Sequence, residues 1–185
     1  MILHRVAVPD DHIAAGRFVL RPACKSDVGL IALHAGDKRV AEGTQSVPHP
    51  LPPGAAEGFV ARAMSGKADE DIWVMDGSGS GLAEVLGIIS LKRMEYTKQI
   101  GGQSEVTYWV APAYWNTGLA SDAVRALIGA NPQKNDAIFA EVFQDNPSSA
   151  RVLTNCGFEY LGDAESFSVA RGALVPTWTY ICKLG

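Results

Sequence analysis

Two stretches combine residue types and spacings that can do chemistry. In the first, a β-branched and aromatic run, Glu105–Val110 (EVTYWV), leads through Ala111–Gly118 (APAYWNTG) into a segment whose apolar residues Leu119, Ala123, Ala126 and Leu127 recur at helical spacing. A strand that enters a helix through a short Gly-containing turn leaves several amide N–H groups unpaired at the positive end of the helix dipole. Such a corner binds anions, phosphate above all. Gly118 lets the anion come close to the main chain, and Ala120 and Ser121 keep the first turn small. Asp122, in that same turn, is compatible with an anion only if it points away. The pattern also describes an ordinary turn.

The second stretch is Asn146–Phe158 (NPSSARVLTNCGF). Asn146, or Asp145 before it, caps a helix with Pro147 near its first position, and Gly157 stands where helices end. Ala150, Leu153 and Cys156 face a core, so a capped helix alone accounts for every position.

The remaining elements must position these two. Strands are expected at Arg17–Arg21, Ile72–Met75, Val85–Met94 and Ala137–Phe143, and closing strands at Phe158–Leu161, Ser166–Ala170 and Thr177–Lys183. Helices are expected from Ser26, as cap, to about Ala35, with Asp27 in the first turn, and over Gly54–Met64. Gly43–Gly54, with four prolines, is a long loop, and Asp76–Gly81 (DGSGSG) a hairpin connection. The chain reads as a leader, residues 1–16, and one mixed α/β domain, residues 17–185.

Composition excludes several classes. With 47% apolar and 19% charged residues in 185, the chain builds an ordinary core and is not disordered. A net charge of −4 without a basic run excludes a nucleic-acid binder. The most apolar stretch, Val85–Ile89, is strand-sized, so no membrane partner is expected. Cys24, Cys156 and Cys182 form neither a disulfide framework nor a zinc set, which fits a reducing cytoplasm. No Gly-Lys-Ser/Thr follows the loop, which excludes a P-loop nucleotidase. His4, His12, His34 and His49 offer no ligand spacing, so no metal is expected; His34 ends a helix, where a cation suits the dipole.

Taken together, the two stretches resemble the GNAT superfamily of N-acetyltransferases, its RimJ/RimL-like branch most closely. The branch's loop reads Tyr-Trp-Gly-Lys-Gly-Tyr-Ala-Thr-Glu-Ala; here it is Tyr114-Trp115-Asn116-Thr117-Gly118-Leu119-Ala120-Ser121-Asp122-Ala123. Glu105, Tyr108 and Trp109 match its upstream Glu-x-x-Tyr-Trp. Asn146, Ser149, Arg151, Val152, Leu153, Gly157 and Phe158 match its downstream Asn-x-x-Ser-x-Arg-Val-Leu and Gly-Phe. Leu20-Arg21-Pro22, Ser26-Asp27 and the Pro-rich loop before the second helix also fit. Asn116 and Thr117 depart from the usual Gly and Lys/Arg, and Thr117 removes a cation near the phosphates. Leu153 stands where other branches carry a Tyr acid. A Glu that such enzymes can carry after Gly-Phe falls near Ser168.

The resemblance implies a central, mostly antiparallel mixed sheet whose fourth and fifth strands, here Glu105–Val110 and Ala137–Phe143, splay apart to admit acetyl-CoA. The pantetheine arm lies on the open strand edge and the diphosphate on N–H groups from Trp115 to Ala120. Tyr108, Trp109, Val110, Trp115, Asn116, Thr117, Gly118, Leu119, Ala120, Ser121, Asn146 and Ser149 are the implied cosubstrate contacts, with Trp115 either covering the cofactor or packing on the sheet. The reaction is direct attack by a primary amine, on a small molecule or a protein N-terminus, within a ternary complex. Glu105 is the implied base acting through water, Ser149 the implied acid, and an amide near Val110 the oxyanion donor. The acceptor pocket draws on residues 36–66, with His49 beside it, and on the 163–176 hairpin. The assembly is a monomer or homodimer. The alternative is a CoA-binding module of the same fold without turnover.

Overall fold

Strand and helix alternate along a chain whose computed structural model describes residues 11–66, 69–95 and 101–185. The elements are β1 (Ile13–Ala14), β2 (Val19–Pro22), α1 (Val28–Ala35), α2 (Lys38–Glu42), α3 (Ala55–Ser65), β3 (Glu70–Asp76), β4 (Gly87–Arg93), β5 (Gln103–Val110), α4 (Leu119–Ala130), β6 (Ala137–Phe143), α5 (Pro147–Asn155), β7 (Glu159–Ser168) and β8 (Ala173–Lys183). The strands form one eight-stranded sheet in the order β1-β2-β3-β4-β5-β6-β8-β7. Every neighbouring pair is antiparallel except β5–β6.

Helices cover both faces, and that explains the unbroken apolar run of β3. Ile72 and Val74 join Ile31 and Val60 in a core under α1 and α3. Trp73 and Met75 join Leu119, Val124, Leu127 and Leu153 in the core under α4 and α5. β5 divides in the same way. Val106 and Val110 enter the α4 side, which leaves Glu105, Thr107 and Trp109 facing the α1–α3 side.

Several expectations shift. The first ten residues of the expected leader lie outside the described residues, but Ile13 and Ala14 pair with Leu20 and Val19 as an edge strand. The strand expected at Arg17–Arg21 starts two residues later, because the chain is still turning at Arg17, where the Ala15 amide donates to Phe18 O. The helix expected from Ser26 begins at Val28. Asp27 is 1% exposed and receives both Nη atoms of Arg21 (2.8 and 2.9 Å) and the Cys24 amide (2.8 Å). Arg21 Nε also reaches Asp76 (2.6 Å), so the Leu-Arg-Pro…Ser-Asp motif encodes a buried ion node tying β2 to α1 and β3. Removing one partner of such a node costs about 3–5 kcal/mol. Finally, the first two of the three expected closing strands are one. β7 runs unbroken through Gly162 by an irregularity in register between Tyr160 and Gly162, and the chain turns only at Val169–Gly172.

Candidate active site

The parting of β5 from β6 creates the site. β5 keeps continuous register with β4 from Ser104 to Val110, and the Ala111 amide donates to Leu86 O at 2.8 Å. By the alternation of an antiparallel ladder, Val106, Tyr108 and Val110 therefore aim their main-chain groups away from β4. On that side β6 pairs only Ala137–Phe139 with Gln103–Glu105. Beyond Glu105 the strands separate, and Tyr108 and Val110 have no strand beside them. Trp115 Nε1 donates to the Val110 carbonyl at 2.7 Å.

The loop that follows is wound for main-chain donors. Asn116 (φ 60°) and Gly118 (φ 82°) both adopt the left-handed conformation, which Gly takes freely and Asn tolerates. This is why Asn can stand at 116 in place of Gly. Among the described residues, none of the six amides from Asn116 to Ser121 has an acceptor, and intrahelical bonding begins with Asp122 N to Gly118 O (3.0 Å). The Trp115 amide, expected among the donors, is spent on Pro112 O (3.2 Å). Arg17 Nη2 donates to Thr117 O (2.7 Å) and to Asp122 (3.1 Å), and Arg125 lies 3.8 Å from Asp122. The Asp122 charge is thus answered by two arginines rather than set against the loop.

These amides line a cavity of about 860 Å³ that reaches Tyr108, Trp109, Val110 and, on α5, Asn146 and Ser149. Trp115 lies on its wall, 43% exposed, and does not pack into the sheet. Asn146 caps α5: its side chain accepts from the Ser149 amide (3.4 Å), and its Nδ2 donates to Ser149 Oγ (3.2 Å). With its oxygen accepting from Asn146, the Ser149 hydroxyl has its proton left to donate. Tyr108 Oη donates to Ser149 O (3.2 Å), and burial pushes the phenol above its ordinary range, so it stays a neutral donor.

A second cavity, about 750 Å³, meets the first at Gly43, Thr44, Tyr108, Trp109 and Ser149. Glu105, Glu70, Glu141 and Lys92 line it. Cross-strand pairing puts Lys92 between Glu70 and Glu105, and Glu141 lies two residues beyond Phe139, the partner of Glu105. Burial raises the Glu105 pKa, Glu141 adds to it, Lys92 opposes and Glu70 adds again. Glu70 accepts from Ser90 (2.6 Å), and Glu141 from Ser166 (2.5 Å) and Thr177 (2.6 Å).

Sequence reasoning missed Glu70, Lys92 and Glu141. The available signal was Glu141 itself, a carboxylate inside the apolar strand AIFAEVF. His49 does not line either cavity, and its Nδ1 is buried without a partner among the described residues. His34 stands in the last turn of α1, as expected; it packs edge-on to Trp109 at 6.5 Å, and burial lowers its pKa. Ser168 sits buried at the hairpin tip, with its Oγ accepting from the Arg171 amide (3.2 Å), away from both cavities. Among the described residues, no cluster of three His, Cys, Asp or Glu could hold a metal, and no helix is long and apolar enough to cross a membrane.

The fold of this chain is held in common with a family. The model of the acetyltransferase (GNAT) domain matches residues 17–159, and the chain belongs to that family. Among individual proteins, it is 27% identical over 99 residues to the uncharacterized N-acetyltransferase p20 of Bacillus licheniformis, a match covering 52% of this chain and 54% of that protein. The chain thus spans about half the length of that curated relative. Among solved structures, the microcin C7 self-immunity acetyltransferase MccE, solved with acetyl-CoA and AMP, superposes with a TM-score of 0.80 at 13% identity, over 97% of this chain and 99% of its own. The ribosomal alpha-N-protein acetyltransferase RimL, solved with coenzyme A, gives 0.77 at 15%, over 94% and 98%. At these identities the likeness is one of fold.

Proposed function

We propose that this chain is an acetyl-CoA-dependent N-acetyltransferase of the RimJ/RimL-like kind, acting on a primary amine by direct attack in a ternary complex. One observation carries the reading: six unengaged amides and a parted strand pair form a single cleft with a carboxylate-lined chamber. The larger arm takes the cosubstrate. Its diphosphate rests on the Asn116–Ser121 amides, and its pantetheine arm pairs with the open edge of β5 at Tyr108 as an added strand would.

When bound, acetyl-CoA supplies a thioester carbonyl; a C–N bond forms to it, the C–S bond breaks, and the amine loses a proton. The Val110 amide, with no strand beside it, donates to the developing oxyanion. Glu105, through water, takes the proton from the amine, and its raised pKa brings it closer to that task. Ser149 gives its free hydroxyl proton to the departing sulfur and is reprotonated in turn by the proton that Glu105 has collected, relayed through solvent. The smaller arm holds three carboxylates against Lys92 and the exposed Arg62. That balance favours an acceptor arriving as an ammonium ion, on a small molecule or a protein N-terminus.

Free-thiol release from acetyl-CoA, measured against a panel of amines and N-terminal peptides, tests this. Amine-dependent thiol release with an acetylated product is expected. Tight acetyl-CoA binding with no turnover on any acceptor would instead make the chain a CoA-binding module.

A further inference from the structure

Thr117 stands where related loops place a cation, so the charge opposite a bound diphosphate must come from elsewhere. Arg17 and Arg125, beside the loop, do not line the larger cavity, and Arg171, which does, is spent on Asp145 and α2. Arg17 serves Thr117 O and Asp122. Arg125 serves Asp122 and Asn155 O. Arg171 binds Asp145 and Glu42 O, which ties the β7–β8 turn to α2. Arg39 differs. It projects from α2, lines the same cavity as Asn116–Ser121, and carries its guanidinium over the Trp115 ring, 5.5 Å from the centroid. Trp115 is itself pinned through Nε1 to Val110 O, so this stacking fixes where the charge sits relative to the loop. Asp37 holds one edge of the guanidinium, through Nε (3.1 Å) and Nη2 (2.7 Å), while Nη1 has no partner among the described residues. The Arg39–Asp37 hydrogen bonds hold the Asp37 carboxyl at about 2, so the pair stays charged at any working pH. Arg151 also lines the cavity, from α5, but makes no hydrogen bond or ion pair to the loop among the described residues.

We propose that Arg39 binds the cosubstrate diphosphate from the wall facing the Asn116–Ser121 amides, replacing the cation absent at Thr117. α2 thereby becomes part of the cosubstrate site: Asp37 caps its N-terminus, and the buried Val40 and Ala41 anchor the helix that presents Arg39. The inference rests on the assignment of the larger arm to acetyl-CoA.

Calorimetric affinities of the full chain for acetyl-CoA, for 3′-dephospho-acetyl-CoA and for S-acetylpantetheine test it. Arg39→Ala should weaken the first two alike, by about tenfold, as expected for loss of a charge-assisted contact. It should leave S-acetylpantetheine, which lacks the diphosphate, unchanged, and should flatten the salt dependence of acetyl-CoA binding. Arg39→Lys should recover part of the loss. Asp37→Asn keeps a capping side chain while freeing the guanidinium, and should hold or raise affinity. Equal weakening by Asp37→Asn and Arg39→Ala would make Arg39 merely a part of the α2 cap and overturn the proposal. So would a loss confined to acetyl-CoA, or a loss shown by Arg151→Ala and not by Arg39→Ala. Gly118→Glu separates the two levels. If it binds acetyl-CoA normally, the larger arm is not the cosubstrate site; if it fails to bind while Arg39→Ala binds as wild type, only the role of Arg39 falls.

Discussion

The two arms of the cleft are built from different materials. The larger is walled by main chain: the amides of Asn116–Ser121 and the open edge of β5. The smaller is walled by side chains, with Glu70, Glu105, Glu141 and Lys92 contributed by four strands. Main-chain donors survive substitution as long as the backbone keeps its path. Only the left-handed turns at Asn116 and Gly118 constrain residue type there. Side-chain walls change with every substitution. A cleft of this design holds one ligand constant and lets the other vary, which suits a shared acyl donor and a particular acceptor.

Substitutions can break or sharpen that contrast. The largest effect is expected from Gly118→Glu, which sets a carboxylate and a strained left-handed residue among the amides. Acetyl-CoA affinity should fall by about a hundredfold or more, since a repelled anion and a lost cradle compound. Calorimetry on a variant with unaltered circular dichroism checks it. Next is Glu105→Gln, expected to lower kcat by about a hundredfold with cosubstrate affinity unchanged. The sign of its pH effect follows from the raised pKa. The carboxylate form is lost as pH falls through a value above 4.5, so wild-type rate should decline on the acid side and the variant should lose that limb. Ser149→Ala should cost about tenfold in kcat, read from single-turnover thiol release, with the Asn146 cap on the Ser149 amide intact. The smallest effect belongs to Thr117→Lys, which returns a cation to the main-chain arm. Acetyl-CoA should bind a few-fold tighter, with the ranking of acceptors untouched. A reordered acceptor preference would mean that the arms are not independent.

The same contrast governs what could be read from the sequence. The loop was legible because its information is local: Gly118, the small residues after it and the helical spacing from Leu119 lie within a dozen positions. Asn146 as cap was legible for the same reason. The chamber was not, because Glu70, Lys92 and Glu141 meet only through pairing between strands separated by loops. α2 escaped because five residues are too few to show a helical period, although Asp37 was there to cap it. The gap expected between strands at Phe158–Leu161 and Ser166–Ala170 is closed by a shift of register between Tyr160 and Gly162.

The hydrogen bond from the Trp115 indole to the carbonyl of Val110 has one more consequence. An extended guest laid along β5 finds that oxygen already taken, so its own amide can dock only one step earlier, at Tyr108. On the proposed docking of the cosubstrate, the indole would therefore work as an end-stop. It sets how far the guest's tail can slide, and so where its reactive tip comes to rest.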